Sequence, residues 1–155
     1  MANEIKDKLS TSAALTITLA SLANGSARQS TLVDNATNRY QDLLLYVKLK
    51  TGTSPTGNKT CDVYLIRGDD DATTEHLSDG AGASDAAIAI LNAPLIGVVK
   101  TKASPATGDV LYGEFLVHRP GPTWGIAVAN NTGAALDATG SNHWVRWIGL
   151  NPEVQ

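Results

Sequence analysis

Apolar and polar residues alternate with a period of two along many short segments of the chain. Between Leu43 and Lys50, every odd-numbered residue is leucine or valine, whereas Tyr46 and Lys48 stand at even positions. This period is typical of a half-buried β-strand, because successive side chains point to opposite faces of a sheet. The same reasoning predicts further strands over residues 15–19, 28–33, 61–66, 96–101, 110–118, 124–129 and 143–150.

Turn-forming residues separate these segments. Asn24-Gly25 and the run from Pro120 to Pro122 mark sharp breaks, and Pro152 is expected to end the last strand. Residues 85–91 are predicted to form one or two helical turns, with Ser84 as N-cap. The acidic stretch 68–84 is the longest without a predicted element, and loops of such length are usually functional or mobile.

About eight strands at this spacing, with very little helix and no βαβ pattern, predict an all-β fold. The expected architecture is an antiparallel β-sandwich of jelly-roll type. Residues 13–155 form the single sandwich domain, and residues 1–12 form a short N-terminal arm, either irregular or briefly helical. Ile5 and Leu9 are the apolar anchors of that charged arm. We expect them to contact a partner.

Composition narrows the range of functions. The chain has 155 residues, a net charge of -3 and an aromatic content of 5%. We expect no nucleic-acid partner, because the clustered basic surface of such proteins is missing, and no membrane partner, because no apolar run reaches the length of a span. The single cysteine, Cys61, is expected to pack as a small apolar group. The N-terminal segment lacks a signal-peptide pattern, so synthesis in a cytosol is expected.

Motifs that carry chemistry are scarce. The acidic stretch offers Asp69, Asp71 and Glu75 as candidate metal ligands, but their spacing does not match a calcium-binding EF-hand loop. A solvated acidic loop is the preferred interpretation. The three histidines are scattered, and no nucleophile motif is present. We therefore predict no metal, no cofactor, no catalytic residues and no enzymatic activity.

Trp144 and Trp147 lie three residues apart in one predicted strand, so they face opposite sides of it. A sandwich has only one inner face per sheet, so one indole needs cover from outside the subunit core. Both are candidates for a subunit interface, which we rank above a sugar-stacking platform. This requirement favours a homo-oligomer, expected to be a homotrimer.

Three segments together resemble small virion structural proteins of tailed bacteriophages, some of which are capsid decoration (cement) proteins. The segments are residues 15–24, 92–97 and 124–137. The resemblance implies a β-sandwich subunit, without catalytic residues, that is made in the bacterial cytoplasm and assembled in many copies on the virion. The expected function is a capsid decoration protein that binds and stabilises the major capsid protein lattice. The alternative is a tail- or fibre-associated module that binds host surface carbohydrate.

Overall fold

Two antiparallel β-sheets, packed face to face, hold nearly all of the regular structure. The computed structural model describes residues 5–69 and 77–154. A short 3-10 turn, Gly140–Asn142, is the one helical element among them. The strands in chain order are β1 (Ile5–Leu9), β2 (Ala13–Leu15), β3 (Ser26–Gln29), β4 (Val33–Asp34), β5 (Asp42–Lys50), β6 (Thr60–Gly68), β7 (Ala86–Ile88), β8 (Leu95–Lys100), β9 (Val110–His118), β10 (Thr123–Asn130) and β11 (Trp144–Val154).

The strand order is that of a jelly roll. The first sheet, sheet A, has the order β1-β11-β5-β9, with β2 following β1 along the same side of β11. The second, sheet B, has the order β7-β3-β10-β6-β8, with β4 following β3 along β10. Counting β1 with β2 and β3 with β4, and leaving β7 aside, gives eight strand lines joined as in two Greek keys. The prediction of an all-β antiparallel sandwich is confirmed.

The core lies between the two sheets and is mainly aliphatic. The odd-numbered side chains of β5 are fully buried in it, as are Cys61 and Val63 of β6, so the alternation read from these two segments is confirmed. Trp124 of β10 and Trp147 of β11 meet in the middle, edge to face, with ring centroids 5.2 Å apart. This arrangement fixes which side chains are left for the outer faces.

Two predicted strands are interrupted where the chain moves between sheets or bends. Of the strand predicted over residues 15–19, only Leu15 lies in a strand, at the end of β2. The chain then leaves sheet A, because the Thr16 carbonyl accepts the N–H of Thr31, which lies between β3 and β4 of sheet B, at 2.9 Å. The strand predicted over residues 28–33 breaks into β3 and β4. At the break, the Ser30 hydroxyl replaces a ladder contact by accepting the Ile126 N–H at 3.0 Å.

The helical turns predicted over residues 85–91 are wrong. Residues Ala86–Ile88 form β7, which adds to the open edge of β3, so strand pairing outweighs the local helix propensity of the alanines. Asp85 fixes the approach by pairing with the Arg28 guanidinium at 2.5 Å and by accepting the Thr18 hydroxyl. Ser84 therefore caps no helix.

The end of the last strand was also predicted wrongly, since β11 runs through Pro152 to Val154. Gly149 bonds Ser10 on the β1 side, and the Leu150 carbonyl bonds Gln41 on the β5 side. By alternation, the nitrogen of Pro152 faces the β5 side, where β5 no longer pairs with β11. A proline is tolerated there because no ladder hydrogen bond is lost. The arm correspondingly forms a strand, β1, and is neither irregular nor helical over Ile5–Leu9.

Candidate interaction surface

The outer side of sheet A carries side chains in regular rows across β9, β5 and β11. We call this surface the outer A face. Its rows, read from the strand registers, are Tyr112–Lys48–Trp144, Glu114–Tyr46–Arg146, Leu116–Leu44–Ile148 and His118–Asp42–Leu150.

Apolar side chains on this face are exposed to solvent. Tyr112 is 67% exposed and Leu116 is 51% exposed, and their apolar neighbours Leu44 and Ile148 are only half-buried. Single exposed apolar residues are normal on protein surfaces, whereas adjoining ones mark interaction sites. The outer A face is therefore the leading candidate for a contact with another protein.

The outer side of sheet B is, by contrast, covered by the chain itself. Ile66 and Ala127 point outward from this sheet and are fully buried. The segment 77–93 supplies the cover, with Leu77 and Ala93 packing onto them in a second apolar cluster. This part of the acidic stretch is thus a structural lid over sheet B, and no segment within residues 5–69 and 77–154 covers sheet A in the same way.

A fully buried glutamine holds this segment in place. The Gln29 side chain accepts the Ala81 N–H at 2.7 Å and donates to the carbonyls of Gly82 and Ser84. A buried amide is tolerated in such a position because its polar groups are hydrogen-bonded. Gln29 therefore fastens the covering segment to β3.

Asp79 holds the same segment at its other end. One carboxylate oxygen accepts three consecutive backbone N–H groups, those of Leu91, Asn92 and Ala93, at 2.9, 2.7 and 2.5 Å. Burial acts to raise the pKa of Asp79, but the N–H donors, led by Ala93, outweigh it and lower the pKa below its ordinary value. This acidic residue is engaged in structure rather than exposed for a ligand.

The two tryptophans of β11 face opposite sides, as predicted. Trp147 is buried in the core, where its ring also meets Tyr40 edge-on at 5.7 Å. Trp144 is half-buried on the outer A face beside Tyr112, with ring centroids 6.5 Å apart and planes inclined by 56°. Trp147 is consequently occupied within the subunit, and Trp144 is the one left for an interface. The inclined rings do not form the flat platform on which a sugar stacks.

The outer A face continues into the paired chain ends. Beyond Leu150, β1 is the one strand among the described residues that pairs with β11, so Ile5–Leu9 and residues 150–154 form a two-stranded extension that we call the terminal ribbon. Ile5 is 70% exposed and Leu9 is 59% exposed, and Leu9 lies directly opposite Leu150 on the outer side. Lys8 and Glu153 form an ion pair at 3.0 Å on the opposite side of the ribbon. The ribbon thus has a mainly apolar face, interrupted by Asp7, and a charged face.

The candidate metal ligands are not brought into a site by the described structure. Asp71, Glu75 and the histidine of the acidic stretch, His76, lie outside the described residues, whereas Asp69 directly follows β6. Across residues 5–69 and 77–154, no group of three or more His, Cys, Asp or Glu side chains is placed to hold a metal ion. His118 contacts Asp42 at 3.0 Å on the exposed edge of the outer A face.

His143 has a structural position at the start of β11. It is buried, its Nδ1 accepts the Lys50 N–H at 3.3 Å, and its Nε2 lies 2.9 Å from the Asp137 carbonyl, to which it donates. Cys61 is fully buried, and burial raises the pKa of its thiol to about 12, so the sulfur stays protonated at neutral pH. Neither side chain is available as a nucleophile or a base.

Asp137 organises the turn that leads into β11. Its carboxylate accepts the Asn142 amide at 2.7 Å and the Thr139 N–H at 2.9 Å, and the Lys50 ammonium lies 3.6 Å away. The Asn142 amide, the Thr139 N–H and the Lys50 charge together lower the pKa of Asp137 to about 2. The turn therefore fixes the position from which Trp144 enters the outer A face.

A groove of about 780 Å³ lies at one end of the sandwich, between the turns that contain Arg39 and Arg119. The buried Asn35 amide joins these turns by donating to the carbonyls of Tyr40 and Gly121, at 3.1 and 3.0 Å. Both Asn35 amide hydrogens are used in this way, and its side-chain oxygen accepts the Tyr40 N–H. The Asn35 side chain that lines this groove is thus used in hydrogen bonds that hold the two turns together.

Comparisons with known proteins add no relative: no protein-family model matches the chain, and neither a curated protein nor a solved structure matches it. Within the part of the chain that the structure describes, no helix has the length and apolar character needed to cross a membrane.

Sequence reasoning found Trp144 but missed most of the outer A face. The signal was present in the even-numbered positions of β5, where Leu44 and Tyr46 interrupt the polar phase of the alternation. Leu116 and Ile148 do the same in β9 and β11. Apolar residues in both phases are typical of a strand that is buried on both faces.

The two tryptophans give a direct test of this assignment. We expect Trp147→Ala to lower the free energy of unfolding by about 3–5 kcal/mol, because it empties the centre of the core. Trp144→Ala should change it by about 1 kcal/mol or less in dilute monomer, as for a surface position. Urea unfolding followed by circular dichroism measures both. Equal losses for the two variants would contradict the placement of Trp144 outside the core.

The low pKa of Asp137 predicts a pH dependence of stability. Its folded-state pKa of about 2 lies below its ordinary value of 3.8, so the stabilisation is fully present above about pH 4 and is lost as the pH falls through the folded value. We expect Asp137→Asn to be less stable than the wild type at pH 7, with a difference that shrinks between about pH 4 and pH 2. Urea titrations across this range measure it, and a pH-independent difference would contradict the assignment.

Proposed function

We propose that this protein is a structural, non-catalytic subunit of a tailed-phage particle, a capsid decoration protein that binds the major capsid protein and stabilises its lattice. One observation carries the proposal. The terminal ribbon exposes Ile5 and Leu9 and continues an outer A face whose exposed apolar side chains have no cover among the described residues, whereas the outer side of sheet B is covered by the subunit's own residues 77–93. The resemblance of three sequence segments to virion structural proteins supplies the phage context.

Among the described residues, the side chains that could serve in catalysis are already engaged in structural contacts. His143 is held by backbone groups of β5 and of the turn before β11, Cys61 is buried as a thiol, and Asp79 and Asp137 bind backbone N–H groups. A jelly roll occurs in viral capsid proteins as well as in lectins, so the fold agrees with the proposal by analogy only. Polar side chains that are used in structural contacts, together with apolar side chains that face solvent, fit a role in assembly.

The terminal ribbon is suited to reach a neighbouring protein. An isolated pair of strands is marginally stable in water, so a ribbon that extends beyond its sheet is stabilised when its apolar face is covered. Covering a leucine or isoleucine contributes on the order of 1.5–3 kcal/mol. Ile5 and Leu9, exposed on one face, therefore supply the attachment to the capsid.

Substitutions on the two faces of β1 test the attachment. We expect the double variant Ile5→Ser, Leu9→Ser to fold normally but to lose binding to expanded capsids by at least about ten-fold, because the apolar contact is removed. Cosedimentation with purified expanded capsids, over a range of protein concentrations, measures the binding. The matched control is Lys8→Ser, on the opposite face of the same strand.

The control is expected to bind like the wild type, because exposed ion pairs such as Lys8–Glu153 contribute little. Normal circular dichroism of both variants is needed for the comparison. If the Ile5 and Leu9 double variant binds capsids as well as the wild type does, the ribbon is not the attachment site.

A further inference from the structure

We infer that two copies of this chain pack together through their outer A faces, around a two-fold axis that runs along β5. The inference concerns self-association of the subunit and goes beyond the proposed attachment to a capsid. A two-fold dimer differs from the homotrimer expected from the sequence. The described subunit offers no observation in support of a trimer.

Three of the four rows of the outer A face have matching chemistry on the two sides of β5, and the fourth, His118–Asp42–Leu150, does not. In one row, Leu116 and Ile148 flank Leu44, and in the next, Glu114 and Arg146 flank Tyr46. The aromatic rings of Tyr112 and Trp144 flank Lys48 in the third. Apolar thus stands opposite apolar, aromatic opposite aromatic, and negative opposite positive, with β5 as the dividing line.

A two-fold axis parallel to β5, lying between two stacked faces, places β9 of one copy over β11 of the other. Such an interface is isologous, so each contact occurs twice. Leu116 then meets Ile148 of the second copy, Tyr112 meets its Trp144, and Glu114 meets its Arg146. Stacked sheets cross at about 30°, so the contact is closest around the central Tyr46 row, where the charges lie.

Glu114 and Arg146 have no such partner within one subunit. They lie two strand spacings apart, about 10 Å, with Tyr46 between them. Neither side chain forms an ion pair or a hydrogen bond within residues 5–69 and 77–154, and both are exposed. A surface with both charges in mirrored positions is complementary to itself, and charge complementarity of this kind sets partner and register.

The geometry also has a cost and a limit. The two Lys48 side chains approach each other near the axis, and so do the two Asp42 side chains. The long lysine stems allow the ammonium groups to turn out to water, and each Asp42 has His118 of its own subunit at 3.0 Å. With three strands and nine residues in β5, the face is about 15 Å by 30 Å, at the small end for a stable interface. We therefore expect a dimer that dissociates on dilution.

The terminal ribbon stays accessible in this arrangement. The ribbon lies on the side of β11 that faces away from β5. In the dimer it therefore extends beyond the β9 edge of the second copy. The dimer would then present two ribbons on opposite sides. Loss of the dimer and loss of capsid attachment are consequently separate events, and the first can be measured without capsids.

A charge swap tests the contact. Sedimentation velocity of the purified full chain is measured over a range of concentrations for the wild type, Glu114→Arg, Arg146→Glu and the double variant that carries both changes. We expect a wild-type dimer, about ten-fold or greater weakening in each single variant, and recovery to within about three-fold of the wild type in the double variant. The control Lys100→Glu, an exposed charge on β8 of sheet B, should leave the dimer unchanged.

Several results would overturn the inference. These are a wild-type monomer at every concentration, a trimer, a dimer that the single charge reversals leave intact, or single-variant losses that the swap does not restore. Circular dichroism separates a misfolded variant from a dissociated one. A monomer that nevertheless binds capsids through the terminal ribbon would reject the dimer while leaving the proposed function in place.

Discussion

A sandwich buries only one face of each sheet, and the outer faces of this protein depend on that constraint. The inner faces are filled by aliphatic side chains around the Trp124–Trp147 contact. Both sheets then carry apolar residues on their second faces. Sheet B covers Ile66 and Ala127 with its own chain, whereas sheet A leaves Leu116 and Tyr112 in solvent. The difference between the two outer faces is the main evidence for an interaction surface.

Polar side chains of the acidic stretch and of β3 hold the cover on sheet B in place. Gln29 is buried on β3, and Asp79 accepts three backbone N–H groups from the end of the covering segment. Arg28 and Asp85 form a partly buried ion pair beside them. The acidic stretch offers candidate metal ligands in the sequence, but its described part fastens the cover on sheet B. These polar side chains are engaged in structural contacts, and exposed apolar residues lie on the outer A face.

The sequence predicted the class of fold because period-two alternation is a local signal. The strands around Val47, Val63 and Val117 were found with nearly their observed bounds. The errors fell where tertiary contacts decide: Thr16 leaves sheet A to bond sheet B, and Ala86–Ile88 pairs with an open edge although its composition favours a helix.

The candidate surface was predicted only in part, for a related reason. Trp144 and Trp147 could be assigned to opposite faces by counting, but which of them faces the core depends on Trp124 and Tyr40, which are distant in sequence. The mirrored arrangement of Glu114 and Arg146 requires the register of three strands, β9, β5 and β11. A single sequence shows neither the strand order nor the register, so this pairing could not have been predicted from it.

The central claim, that the outer A face is covered by protein in the assembled state, is tested most directly by hydroxyl-radical footprinting with mass spectrometry. The oxidation of each aromatic residue is compared between dilute free subunit and subunit assembled on particles. We expect strong protection of Tyr112 and Trp144 on assembly, with no change at Tyr64 on the outer side of sheet B. Unchanged oxidation of Tyr112 and Trp144, or protection at Tyr64 instead, would contradict it.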